Sequence, residues 1–435
     1  MTGMNPAAMT PFPGVVAPPE AQPFVRLLPN GMTIVLEPLP HVHSVSMGVW
    51  IRVGSAHEEA AECGMSHFLE HMLFKGTPTR NAHDIAEAIE KHGGHMNAYT
   101  SRDYTCIYAK VLAPDAPEAA EVLADVVLHS QLIDLEKERC VILEEIASSE
   151  DVPDERIHDL FNEYLFPGHS LGRPVAGTET TVRAMTQEGM GAFYRRNYCP
   201  TNMVFSAAGN FDPEAMYDLL AGLFAELPAG DRQASVPPPT AQSGVSLHHQ
   251  AIGQAHIHVG FPTVSVTDPA RYRFDLLYSI LGGGSTSRLF ERIREDEGLA
   301  YNIYAYHSSY SVSGVGGMYA AVAAENYTKC MDICFEEMRR LRDEPIPEAE
   351  IRLNMDQLKG GMLIGLENTF NRAARMAKST LMHGRIIPVE EVVNALDAIT
   401  ADDLQAVAAG MFRPSQCALV VLGPESFAIE EQVAL

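Results

Sequence analysis

His67, Glu70 and His71 are the residues whose types and spacing most clearly allow chemistry. The two histidines are four residues apart, so on a helix their imidazoles lie one above the other on the same face. Such a face can supply two nitrogens about 2 Å from a Zn²⁺ ion and leave positions for a third ligand and a water. The Glu70 carboxylate would then be placed to take a proton from that water. An ordinary charged helix surface fits the same short motif, and that alternative stays open here.

The apolar pattern around this motif predicts a helix that faces a core on its other side. Gly76 and Pro78 mark the end of the helix. Five apolar residues recur with the helical period and form one stripe, opposite the two histidines: Met65, Phe68, Leu69, Met72 and Leu73.

A second helix, predicted from Leu135 to about Glu150, carries the candidates for a third ligand. Glu138 and Glu145 are seven residues apart and share a stripe with the apolar Val141 and Ile142. Burying a carboxylate without a compensating charge is costly. A zinc ion would supply that charge.

These segments together resemble a known family. His67-Phe-Leu-Glu-His71 is the inverted zinc-peptidase signature, and Met72-Leu-Phe-Lys-Gly-Thr77 and Asn97-Ala-Tyr-Thr-Ser-Arg102 are similar to segments of the pitrilysin/insulinase family. The similarity is closest to the processing-peptidase-like branch, which includes the β subunit of mitochondrial processing peptidase and bacterial homologues. It extends over nearly the whole chain, and Glu138-Arg-Cys-Val-Ile-Leu-Glu-Glu145 matches a further family pattern.

The resemblance implies a role for each residue of the site. One Zn²⁺ per chain would be held by His67, His71 and Glu145, with Glu144 as a less well placed substitute for the last of these. Glu70 would be the general base. Glu138 would be an outer carboxylate that supports the site or the substrate.

The resemblance also implies substrate contacts in both halves of the chain. The strand that contains Asn97, Ala98 and Tyr99 would lie along the cleft and receive the peptide as an added β-strand. Arg294 and Tyr301 match a pair that contacts substrate near the scissile bond, where a guanidinium and a phenol could steady the carbonyl or its oxyanion. The alternative for these two is a salt bridge and a core tyrosine.

The length of 435 residues exceeds one usual hydrophobic core and predicts two domains. The resemblance implies an α+β fold of two structurally related α/β-sandwich domains, the processing-peptidase-like metallohydrolase fold. We predict four parts, which are a flexible tail over 1–23, a zinc-binding catalytic domain over 24–228, a linker over 229–244 and a substrate-contacting domain over 245–435.

The second half repeats the first in outline, because residues 412–423 are a counterpart of residues 199–209. The segment that corresponds roughly to the zinc helix, near Gly282–Phe290, has neither a histidine pair nor a glutamate. Its three glycines precede no Gly-Lys-Ser/Thr, so we predict a helix entry and not a phosphate loop. His256 and His258 lie on strand-like sequence without an acidic partner nearby, and we predict structural roles for both.

Composition excludes some classes of function. The formal net charge of −25 opposes nucleic-acid binding. No apolar run is long enough for a membrane span. Seven scattered cysteines without a Cys-x-x-Cys pair suggest free thiols in a reducing compartment, and we predict a cytoplasmic protein.

Taken together, the motif and the resemblance predict a zinc-dependent endopeptidase that hydrolyses short or unfolded peptides, with presequence-like peptides as one candidate class, inside an enclosed dimer chamber. A homodimer is the economical choice because this chain carries both the zinc motif and the Arg294/Tyr301 pair, although a heterodimer with a related subunit is possible. Two alternatives are a non-catalytic scaffold and a metal-dependent hydrolase of another substrate. The complete motif opposes the first, and the predicted strand around Asn97 opposes the second.

Overall fold

The computed structural model describes residues 23–227, 230 and 235–429, and its strands form two sheets. Hydrophobic, β-branched and aromatic residues dominate these strands, as expected for sheets that are covered by helices. The six strands of the first sheet are β1 (Phe24–Leu27), β2 (Thr33–Pro38), β3 (Ser44–Ile51), β4 (His95–Thr100), β5 (Thr105–Leu112) and β6 (Met203–Gly209). The five strands of the second sheet are β7 (Gly244–His249), β8 (Gln254–Thr263), β9 (Ala300–Ser309), β10 (Gly314–Ala323) and β11 (Ala418–Gly423).

Helices connect these strands and cover the sheets. Those of the first half are α1 (Met65–Leu73), α2 (Ala82–Glu90), α3 (Ala116–His129), α4 (Leu135–Asp151), α5 (Pro153–Leu165), α6 (Glu179–Ala184), α7 (Gln187–Asn197) and α8 (Pro213–Leu223). Those of the second half are α9 (Arg271–Gly282), α10 (Tyr327–Asp343), α11 (Glu348–Gly365), α12 (Thr369–His383), α13 (Val389–Asp397) and α14 (Ala401–Met411). A π-helix, Phe290–Asp296, lies between α9 and β9.

The two sheets have the same topology apart from one additional strand. The first has the order β1-β2-β6-β3-β5-β4 and the second the order β7-β11-β8-β10-β9. In each sheet one pair is parallel, β2 with β6 and β7 with β11, and the remaining pairs are antiparallel. The predicted α+β fold of two related domains is confirmed.

One helix of each half packs on the sheet of the other half. The sequence analysis did not predict this arrangement. Helix α5 packs on β8 and β11 of the second sheet, and α12 packs on β3 and β6 of the first. One interface is built from these buried residues: Ile157, Phe161, Leu165, Tyr319, Val420 and Leu422. The other is built from these: Val35, Trp50, Val204, Ala373, Met376 and Ala377.

Some predictions lie partly outside the described residues, and the predicted helix entry lies within them. Residues 1–22 of the predicted tail, and residues 229 and 231–234 of the predicted linker, are not described. The domain limits therefore stay predictions. Gly282 and Gly283 end α9, and after Gly284 the next helical residues begin at Arg288, so the predicted helix entry after the glycines is confirmed. No helix within the described ranges is long and apolar enough to cross a membrane.

Candidate metal centre

Helix α1 presents the motif as predicted, and its start is fixed from outside the helix. Its first turn has no side-chain cap of its own. Instead, the buried carboxylate of Glu58 accepts hydrogen bonds from the amides of Gly64 at 2.8 Å and Ser66 at 2.7 Å. Gly64 has a φ of +91°, and a Cβ there would lie 2.6 Å from the carbonyl oxygen of Ala176. The backbone before His67 is therefore held tightly.

His67, His71 and Glu145 come together in a compact cluster. One nitrogen of each ring and one Glu145 oxygen all lie within 4.8 Å of one another. The Nε2 atoms of His67 and His71 are each 3.6 Å from a different oxygen of Glu145. Burial, with a smaller effect from His71, lowers the pKa of His67 to about 4. The imidazole of His67 is therefore neutral at pH 7, which is the form that binds metals.

Helix α4 supplies the carboxylates, but its apolar stripe is only partly as predicted. Ile142 is fully buried, whereas Val141 is 46% exposed, so the predicted placement of Val141 was wrong. The Glu145 side chain is about half exposed, whereas Glu138 is buried. Only Glu145 therefore reaches the open side where the two Nε2 atoms point.

Glu138 occupies the outer position that was expected of it. One of its oxygens is 3.4 Å from Nδ1 of His71, and the other is 2.6 Å from Nζ of Lys75. A carboxylate on the second ring nitrogen fixes the orientation of a metal-binding imidazole. Lys75 compensates the charge of this buried carboxylate.

Glu70 lies on the same face of α1 and is partly buried. The hydroxyl of Thr100, the last residue of β4, donates a hydrogen bond of 2.7 Å to Oε2 of Glu70. Burial raises the pKa of Glu70 above the ordinary value for a glutamate, while Thr100 and His71 oppose that shift. A raised pKa makes the Glu70 carboxylate a stronger base, and general acid–base catalysis is most effective when the pKa lies near the operating pH.

Asn97, Ala98 and Tyr99 lie on β4, the last strand of the first sheet, which packs beside α1. Because β4 pairs only with β5 in the described sheet, its other edge is available to an added strand. The Asn97 side chain accepts a hydrogen bond of 2.8 Å from the Ala98 amide.

The structure brings Arg294 and Tyr301 into contact with each other. The Arg294 guanidinium lies 4.4 Å from the centre of the Tyr301 ring and donates a 3.0 Å hydrogen bond to the Tyr301 carbonyl oxygen. Tyr301 is 82% exposed, so the alternative of a core tyrosine was wrong. No hydrogen bond or ion pair among the described residues connects this pair to the histidine cluster.

The histidines of β8 have the structural roles that were predicted. His256 and His258 form hydrogen bonds of 2.8 Å and 2.9 Å with the hydroxyls of Tyr319 and Tyr306. The sequence analysis missed three contributors to the metal centre, namely Glu58, Lys75 and Thr100. Lys75 and Thr100 left a signal, because they lie in the two matched segments Met72–Thr77 and Asn97–Arg102.

The cluster fits a zinc ion by its own geometry. Four ligand atoms about 2.0–2.2 Å from a tetrahedral ion lie roughly 3.3–3.6 Å from one another. The two 3.6 Å separations between histidine and Glu145 are close to this range. Two imidazoles and a carboxylate are also a donor set found in catalytic zinc sites that keep a water position.

Comparisons with known proteins identify related sequences over most of this chain. The family model described as Insulinase (Peptidase family M16) matches residues 33–179, and that described as Peptidase M16 inactive domain matches residues 184–358. An uncharacterized zinc protease of Streptomyces coelicolor is 39% identical, with 91% of this chain and 88% of that protein covered. An uncharacterized zinc protease of Bacillus subtilis is 37% identical, with 91% of this chain and 97% of that protein covered.

Solved structures share the fold. A protease from Helicobacter pylori has a TM-score of 0.85 at 21% identity, with 93% of this chain and 99% of that chain covered. A peptidase M16 inactive domain from Pseudomonas fluorescens has a TM-score of 0.87 at 16% identity, with 94% of this chain and all of that chain covered. From its relatives and its matched domains, the chain belongs to the insulinase family, peptidase family M16.

Proposed function

We propose that this protein is a zinc-dependent endopeptidase that hydrolyses short or unfolded peptides. The observation that carries the proposal is the cluster of His67, His71 and Glu145 with Glu70 on the same face of α1. When bound, zinc supplies a Lewis acid for the scissile carbonyl and lowers the pKa of a coordinated water. The zinc-protease names of the relatives support this cofactor.

The residues of the chain then have separate tasks. Glu70 takes a proton from the attacking water and delivers it to the leaving amine. Its raised pKa suits both halves of that transfer. Glu138 holds the His71 ring through Nδ1 and leaves Nε2 free to bind the ion.

The peptide pairs with the free edge of β4 along Asn97, Ala98 and Tyr99. Strand addition binds the backbone of an extended chain, which favours unfolded substrates over folded ones. Arg294 and Tyr301 contact the substrate from the second half. The exposed Tyr301 ring, held by the Arg294 guanidinium, supports a contact role.

We further propose that two chains enclose the site in a homodimeric chamber, with a heterodimer as the alternative. Mass determination in solution tests this part, since a homodimer has twice the chain mass of 47.5 kDa. All seven cysteines are free, which supports a reducing, cytoplasmic compartment.

The deciding experiment uses an unstructured, Arg-containing peptide of about 20 residues, long enough to lie extended in a cleft. Both ends of the peptide are blocked, so that only internal cleavage gives products. Wild type is compared with Glu70→Gln at matched zinc content, and Glu87→Gln, on the exposed face of α2, is the control. We expect cleavage by wild type and Glu87→Gln, and at least a 100-fold loss in Glu70→Gln with zinc retained. Absence of cleavage by the zinc-loaded wild type, alone and with a related subunit, would contradict the proposal.

A further inference from the structure

We infer that Thr100 is a positioning residue for Glu70 and links the substrate-binding strand to the general base. The inference rests on the proposed function. Its starting point is the 2.7 Å hydrogen bond from the Thr100 hydroxyl to Oε2 of Glu70. The same hydroxyl is 3.5 Å from the carbonyl oxygen of Ser66, one helical turn before Glu70. Thr100 therefore contacts α1 at two levels.

Glu70 needs such a contact because its side chain has three rotatable bonds. A general base works only when one oxygen points at the proton that it takes. With Oε2 accepting from Thr100, the carboxylate plane is restrained and Oε1 is left for the water. Among the described residues, no other side chain donates a hydrogen bond to the Glu70 carboxylate.

Thr100 is itself rigid. It is β-branched, which restricts χ1, and its backbone pairs with Thr105 at the end of β4. Thr105 is fully buried and donates its hydroxyl to the Val53 carbonyl oxygen at 2.9 Å. The Thr100 hydroxyl, which binds Glu70, therefore lies on a rigid part of the first sheet.

The position of Thr100 in β4 connects its hydrogen bond to Glu70 with substrate binding. It directly follows Asn97, Ala98 and Tyr99, the residues that we propose pair with the peptide. One strand therefore sets both the register of the peptide backbone and the direction of the Glu70 carboxylate. Thr100 acts on the chemical step through Glu70, so its loss should lower kcat and leave KM nearly unchanged.

The test is a set of three variants assayed with the same blocked peptide. Thr100→Val removes the hydroxyl and keeps the shape, and Thr100→Ser keeps the hydroxyl. Thr328→Val is the matched control, because it makes the same change at an exposed position of α10 in the second half. We expect Thr100→Val to lower kcat about 10-fold to 100-fold, a part of the 10²–10⁴-fold that a positioned base contributes. KM should stay within about twofold, and Thr100→Ser and Thr328→Val should keep kcat within about threefold of wild type.

A second measurement does not depend on activity. Crystal structures of the zinc-loaded proteins should show one Glu70 conformer in wild type and Thr100→Ser, and a displaced or multiple conformer in Thr100→Val. The inference is overturned if Thr100→Val keeps both the wild-type kcat and the wild-type Glu70 conformer, or if Thr100→Ser is as impaired as Thr100→Val. If wild type does not cleave the peptide, the proposed function fails and the crystal structures still decide whether Thr100 holds Glu70.

Discussion

The two halves of the molecule repeat one topology, but among the described residues only the first half brings together side chains that could hold a metal ion. In the first half, α1 and α4 face each other through His67, His71 and Glu145. By chain order between equivalent strands, their counterparts are α9 and α11. Those two helices meet through a buried 2.9 Å hydrogen bond from Ser279 to Asn354.

The polar side chains buried between the two helices need binding partners. The second half shows that the partner does not have to be a metal ion. In the second half a neutral hydroxyl and amide satisfy each other. In the first half, two imidazoles and a carboxylate have the combination of charge and geometry that a cation completes. The metal site is thus a local addition to a scaffold that folds without one.

The largest effect is expected from removing the third ligand. Glu145→Gln replaces a charged donor by a neutral amide, so zinc content should fall from about one per chain towards zero, and cleavage should fall by more than the 10–100-fold typical of outer positions. Glu144→Gln changes the adjacent residue of the same helix and should resemble wild type. Zinc analysis and peptide cleavage measure both.

Ser279→Ala is the corresponding change in the second half. It leaves the Asn354 side chain without one partner and should cost about 1–3 kcal/mol of stability, with zinc content unchanged.

If Glu144→Gln loses zinc and Glu145→Gln keeps it, the assignment of the third ligand is wrong.

A smaller effect is expected from the outer carboxylate. Glu138→Gln weakens the contact to His71 Nδ1, and zinc affinity or cleavage should fall about 10-fold to 100-fold. Lys75→Met leaves the Glu138 charge buried without its 2.6 Å partner and should give a related loss. Because the two residues act on one imidazole, the double variant should lose less than the product of both effects. Fully multiplicative losses would show that they act independently.

The sequence predicted those parts of the site that depend on local pattern. Helix α1 has an apolar stripe and a polar face over a single short segment, so its position and its ligands followed from spacing. The prediction of Val141 on the apolar stripe failed because adjacent residues are about 100° apart around a helix. The buried face of α4 runs through Leu135, Ile142 and Ile146, and Val141 lies beside that face.

The rest of the site depends on contacts between distant segments. Glu58 caps α1 across a loop, and Thr100 reaches Glu70 from a strand 30 residues later. The exchange of α5 and α12 likewise depends on the packing of two finished sheets. A single sequence contains no local signal for any of these contacts.

The smallest expected effect concerns α5 and α12, the helices that each pack on the sheet of the other half. Helix α12 covers the first sheet mainly with alanine, methionine and leucine. Helix α5 instead places His158 against the second sheet, where its ring contacts His258 and its Nε2 lies 2.9 Å from the Tyr304 hydroxyl. His256 forms its own tyrosine contact on the same sheet. Acidification should therefore affect the α5 interface more than the α12 interface.

The direction follows from the pKa values of these histidines. Burial lowers the pKa of His158, His256 and His258 below the ordinary 6.5, with Asp154 opposing the shift at the first two and Arg102 adding to it at His158. Below about pH 6.5 the unfolded chain binds more protons than the folded chain. The contribution of these neutral histidines to the free energy of unfolding is therefore complete above about pH 6.5 and is lost as the pH falls. Hydrogen exchange at pH 7.5 and 5.5, corrected for intrinsic rates, should show a larger loss of protection in α5 than in α12. His158→Gln removes one titrating ring and should reduce that difference. Equal losses in the two helices would show that the histidines do not make the α5 interface sensitive to pH.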